Sequence, residues 1–187
     1  MTVVEYMLAI IAIVLGLAIG KVLDKFSTTI KGNGWTEFNW FLSGWSLYIL
    51  ASILGYFWGF WRLYSGVDEI PYFEFLLMPF TTVTLIYLIA VFLPISTEIK
   101  NIQEKTEYFM SEKKPFFILF FISVIHLKFT VGYLEIERLM LESISTWSLC
   151  FGSLLGLYLK NIYHHKVLLG FFVLVYLTGE ALGPAVS

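Results

Sequence analysis

Six stretches of this chain are apolar over nearly the ~20 residues that an α-helix needs to cross the ~30 Å hydrocarbon core of a bilayer. They run from Val3 to Leu23, Phe38 to Trp61, Phe73 to Ile95, Phe116 to Leu134, Ile144 to Leu159 and Val167 to Leu182. The last two are short, and snorkelling of Lys160 and Lys166 or a locally thin bilayer would let them span. None of the runs alternates with period two, which argues against a membrane β-barrel. Only 14% of the 187 residues are charged while 58% are hydrophobic, too few polar side chains to coat a soluble domain. The prediction is an all-α integral membrane protein, a bundle of about six transmembrane helices forming a single domain over 1–187.

The chain opens Met-Thr-Val-Val-Glu5, with an acid where a signal peptide has basic residues, and the apolar run continues to Leu23, too long for a signal peptide's apolar region, so it reads as a retained first helix. Between runs, Lys31-Gly-Asn-Gly34 breaks the first connection and Ser65 to Pro71 the second. Glu98 to Pro115 is the longest polar segment and reads as the connection between two halves of three helices. The halves share no residue-level similarity, so no internal repeat is predicted.

Orientation follows from the basic residues. Lys21, Lys25, Lys31, Lys100, Lys105, Lys113, Lys114, Lys160 and Lys166 lie near the first, third and fifth connections, against Arg62, Lys128 and Arg138 near the second and fourth. This bias places the loops around Lys31, Lys105 and His164 in the cytoplasm and, with six helices, both termini outside. Trp35, Trp40, Trp58 and Trp61 fall at the ends of the second run, where indole rings favour the membrane interface.

Five features are candidates for function, each with a structural alternative. G-x-x-x-G pairs at Gly16/Gly20, Gly55/Gly59, Gly152/Gly156 and Gly179/Gly183 predict close helix packing, within the chain or between copies. Ser145, Ser148, Gly152 and Gly156 share one face of the fifth helix and either line a narrow pore or form a tight seam. Glu5, Arg62, Glu74, His126, Lys128 and Glu180 form a candidate polar cluster at and below the outer surface; it is either a vestibule in which His126 or Glu180 exchanges protons, or a structural ion-pair network. Pro79, followed by Thr81, Thr82 and Thr84, frees a backbone carbonyl that threonine hydroxyls can satisfy, making a coordination point, a hinge or a simple kink. Asp68, Glu69, Glu135, Glu137 and Glu142 make the outer loops acidic, which either concentrates cations or is a solvated rim.

Enzyme signatures are missing, and no catalytic, cofactor or metal site is predicted: H-E-x-x-H, G-x-S-x-G, Walker and CxxC patterns do not occur. Adjacent histidines on a helix point in different directions, so His164 and His165 make a poor metal pair. The lone Cys150 reads as a buried structural thiol. A net charge of −2 offers nothing to nucleic acid.

From Tyr56 the chain reads Tyr-Phe-Trp-Gly-Phe-Trp-Arg-Leu, then an acidic loop, then Phe73-Glu-Phe-Leu-Leu-Met-Pro79 leading to Leu93-Pro94. The basic turn Lys160-Asn-Ile-Tyr-His-His-Lys166 follows before the last helix. These stretches resemble a group of small bacterial multi-pass membrane proteins with an aromatic W-G-x-W-R-type motif at the end of the second helix. The resemblance implies six helices in a bacterial inner membrane and transfers no catalytic residue.

The functional expectation is an oligomeric channel or transporter for a cation or protons, with the lipid bilayer, further copies of itself and a cytoplasmic or membrane protein as its partners. The alternatives are a non-conducting membrane scaffold, sensor or partner subunit, and a regulated pore-forming effector in antiphage defence.

Overall fold

The computed structural model describes residues 3–30, 39–64, 67, 69–99, 101–133 and 140–182. Six helices account for almost all of them: α1 (Val3–Ile30), α2 (Trp40–Tyr64), α3 (Tyr72–Phe92), α4 (Ile102–Tyr133), α5 (Met140–Tyr158) and α6 (Ile162–Leu182). No strand occurs among the described residues. By length and composition, three stretches are long and apolar enough to cross a membrane: Val4–Ile30, Trp40–Trp61 and Tyr72–Phe92. Ile144–Tyr158 and Ile162–Thr178 are shorter apolar stretches.

Each helix buries one stripe. On α1 the buried residues are Val4, Ile11, Leu15, Ala18 and Val22, at the three-, four- and seven-residue spacings of a single face. The opposite face carries Ala9, Gly16 and Gly20 and is exposed. Pairwise packing closes a ring. α1 lies between α2 and α3, α3 packs on α4, α4 on α5, α5 on α6, and α6 returns to α2.

The middle of the ring is filled by aromatic side chains. Trp45 from α2 is fully buried and meets Phe116, Phe117 and Phe172 edge-to-face at 5.4, 5.6 and 5.5 Å between centroids. Tyr48, one turn on, meets Phe172 at 5.6 Å and Tyr176 at 6.1 Å. Edge-to-face pairs of this kind contribute beyond their area, by about 0.5–1.5 kcal/mol each. Tyr176 also donates its hydroxyl to the Ala51 carbonyl at 3.0 Å, fastening α6 to α2.

The glycine face of α5 takes two of these rings. A methyl group on Gly152 would stand 2.7 Å from the Phe172 ring, and one on Gly156 2.5 Å from the Phe117 ring. The aromatic side chains therefore need glycine beneath them. Within one chain, this part of the small-residue face is a packing seam.

The structure corrects the expectation for Glu98 to Pro115. From Ile102 onward this polar stretch is the beginning of α4, which runs through Pro115 without a break. The Asn101 side chain caps it, accepting from the backbone N–H groups of Gln103 and Glu104 at 2.8 and 3.4 Å. Helical periodicity explains the rest. Lys105, Phe109, Lys113, Phe116, Phe117, Phe120 and Val124 are all buried and form one continuous face, while Pro115 points outward. The two lysines sit where the aromatic pattern wants core residues, which disguises the period in the sequence.

Candidate functional site

The proline in α3 reshapes its helix. Leu76–Phe80 is a π-helical segment containing Pro79. Threonine hydroxyls donate to carbonyls around it: Thr81 to Leu76 at 2.8 Å, Thr82 to Met78 at 2.6 Å and Thr84 to Phe80 at 2.8 Å. The missing N–H of Pro79 would have served the Phe75 carbonyl one turn back, so these hydroxyls bond back to other carbonyls around the break and not to the one the proline frees.

His126 reaches the same segment from α4. Its Nε2 lies 2.8 Å from the Leu77 carbonyl, and its Nδ1 lies 3.2 Å from the Thr82 hydroxyl. The Tyr56 hydroxyl of α2 approaches Thr82 as well. Three helices therefore meet on one buried hydroxyl.

The other members of the expected outer cluster belong to α1, α2, α3, α4 and α6. Glu5 is exposed in the first turn of α1, Glu74 is half-buried in the first turn of α3, and Lys128 is half-buried two residues beyond His126. Arg62 and Glu180 belong to the last turns of α2 and α6, and their side chains lie outside the described residues. Lys31, Asp68, Glu135, Glu137 and Gly183 also lie outside them, as do the side chains of Glu142 and Gly179. Ser145 and Ser148 are half-buried near the start of α5.

A second constellation, which the sequence reading missed, gathers at the opposite end of the ring, where α1, α3 and α5 terminate. A lysine from a neighbouring helix serves each C-terminus. Lys25 of α1 donates to the carbonyls of Ala90, Val91 and Leu93 at the end of α3, the Ala90 and Leu93 contacts being 3.1 and 2.6 Å. Lys105 of α4 donates to the Thr28 carbonyl at the end of α1, at 2.6 Å. Lys113, two turns further along α4, donates to the Leu159 carbonyl just beyond α5. Helix C-termini carry partial negative charge and unpaired carbonyls, and an ammonium group answers both.

Lys113 also lies 2.9 Å from Nε2 of His165, which is itself 3.1 Å from the Leu159 carbonyl. His165 is fully buried between Phe109 and Phe117, with ring centroids at 5.7 and 5.6 Å, and its Nδ1 has no hydrogen-bond partner. His164, next to it, is exposed, so the two histidines diverge as expected. Burial pushes Lys105 and Lys113 below the usual lysine range, and the charge of Lys114 adds to the effect on Lys113. The sequence signal was available in principle: Lys105, Phe109, Lys113 and Phe117 repeat every four residues.

Among the described residues no group of three or more His, Cys, Asp or Glu side chains could hold a metal ion. Cys150 is buried and free. No protein-family model, curated protein or solved structure matches this chain.

Proposed function

We propose that this chain crosses a bacterial inner membrane six times, with the lysine-rich end in the cytoplasm and both termini outside, and that it acts as a non-conducting membrane module: a scaffold, sensor or partner subunit. The observation that carries the second part is the filling of the ring. A conducting path through one chain has to pass the middle of the helices, and there Trp45, Tyr48, Phe116, Phe117, Phe120 and Phe172 interlock. Several polar groups inside the ring are committed to backbone carbonyls, which makes them fasteners rather than a wetted track.

The rival reading, a cation or proton channel, draws on a specific feature: Gly16 and Gly20 face outward with nothing within 4 Å of either missing side chain. A path between copies of the chain would avoid the aromatic plug. Purified protein in liposomes carrying pH and potassium gradients separates the two. Release no faster than from empty liposomes supports the module. Rapid flux that falls in Lys128 or Glu180 variants would overturn it in favour of a conducting assembly.

A further inference from the structure

We propose that the cleft between the first turns of α4 and the turn from α5 to α6 binds the headgroup of a zwitterionic phospholipid carrying a primary ammonium, a phosphatidylethanolamine.

The cleft encloses about 610 Å³, within the range of small-molecule sites. Gln103, Glu107 and Met110 line it from one face of α4, at helical spacings of four and three. Lys160, Asn161 and Ile162 form the other wall. The two walls therefore carry opposite charges, each with an apolar residue beside it. Gln103 donates its side-chain amide to Oε1 of Glu107 at 3.3 Å, which steadies the carboxylate on the α4 wall. Across the cleft, Asn161 caps α6, its Oδ1 accepting from the Tyr163 N–H at 2.8 Å. The positive end of the α6 dipole adds to the charge of Lys160.

This pattern selects among headgroups. A phosphate alone is drawn to Lys160 and repelled by Glu107, so a purely anionic lipid gains little. A phosphate diester joined through two carbons to an ammonium meets both walls with the right signs: the ammonium donates to Glu107 and the phosphate accepts from Lys160. A choline headgroup has the same charges, but its cation has no N–H to donate and is held best by aromatic faces. Among the described residues no aromatic side chain lines the cleft.

The position of the cleft favours a lipid over a free solute, a step that rests on the membrane reading proposed above. Lys160 follows the apolar stretch Ile144–Tyr158, and Ile162 opens the next one, Ile162–Thr178. Tyr158 and Tyr163, on either side of the turn, are exposed, and amphipathic rings of this kind favour the headgroup level.

Native mass spectrometry of the detergent-solubilised full chain, titrated with phosphatidylethanolamine, phosphatidylcholine and phosphatidylglycerol in turn, ranks the three. The expected result is one phosphatidylethanolamine per chain, held about fivefold more tightly than either of the others. Glu107→Gln should erase the preference for ethanolamine over choline. Lys160→Gln should weaken both equally, because the phosphate is common to them. Equal binding of the three lipids, a preference for phosphatidylglycerol, or an ethanolamine preference that survives Glu107→Gln would each overturn the site. Glycerophosphoethanolamine, the headgroup without its chains, should not displace the lipid at equal concentration; displacement would make the occupant a free solute and overturn the lipid assignment. Both substituted side chains are exposed, and the wild-type ranking decides even where a variant does not fold. Failure of the membrane reading shows in reporter fusions and flux, and failure of this site in the lipid ranking, so the two are told apart.

Discussion

Lys113 and His165, 52 positions apart in the chain, meet at 2.9 Å over the end of α5, where Lys113 donates to the Leu159 carbonyl and Nε2 of His165 lies 3.1 Å from the same oxygen. The junction joins α4, α5 and α6 through one oxygen. Lys113→Met keeps most of the buried stem and removes the ammonium donor. It should cost about 1–3 kcal/mol in unfolding of the detergent-solubilised protein, with the imidazole taking over the carbonyl in part.

The pH dependence of that deficit has a definite sign. Lys113 in the folded protein binds its proton less tightly than in the unfolded chain, which titrates near 10.5. In the window just below that value the unfolded state holds more protons, so the contribution of Lys113 to stability rises with pH. Methionine has nothing to titrate. The gap between wild type and Lys113→Met should therefore widen as the pH rises towards 10.5. A gap that is flat across that range would mean that burial does not disfavour the ammonium form.

Trp45 makes the second prediction. Its indole N–H has no hydrogen-bond partner in the aromatic cluster. Trp45→Phe therefore loses ring volume but no hydrogen bond, and relieves a buried donor; it should cost about 1 kcal/mol or less. Trp45→Ala opens a cavity between Phe116, Phe117 and Phe172 and should cost about 3–5 kcal/mol. Thermal unfolding of the two variants side by side measures the difference. Equal losses would show that the indole N–H contributes to the core after all.

Much of the helix layout could be read from apolar runs because a membrane core imposes length on sequence. The first three runs correspond closely to Val4–Ile30, Trp40–Trp61 and Tyr72–Phe92. The Pro79 break and its threonines were legible for a local reason: a missing N–H and a nearby hydroxyl are written in adjacent residues. The lysine-capped end was not. Lys25, Lys105 and Lys113 satisfy carbonyls 46 to 77 positions away, a pairing that only the assembled ring creates. As isolated charges they looked like orientation signals alone. The start of α4 was lost for the same reason, since its buried face is partly charged.

Glycine substitutions separate seams from open faces. Gly156→Ala drives a methyl group into the Phe117 ring, and Gly152→Ala into that of Phe172, so each should destabilise by about 1–3 kcal/mol. Gly16→Ala and Gly20→Ala meet nothing and improve helix propensity, so each should be neutral or stabilising by up to about 1 kcal/mol in the isolated chain. Unfolding measured at protein-to-detergent ratios low enough to keep single chains apart gives these values. Loss of stability on raising the ratio, seen only in the Gly16 and Gly20 variants, would identify that face as a contact between copies.

Orientation can be tested apart from stability, because the basic residues have different duties. Lys25, Lys105 and Lys113 are tied to helix ends, whereas Lys21, Lys114, Lys160 and Lys166 are exposed. Reporter fusions after Lys105 should read cytoplasmic and fusions at the C-terminus external. Replacing the four exposed lysines by glutamine lowers the charge bias and leaves the caps in place. The expected result is a mixed population of orientations, while the purified folded fraction unfolds within about 1 kcal/mol of the wild type. If the first fusion reads external in the unmodified protein, the lysine end faces outward, and the helix-capping role alone would explain why lysines gather there.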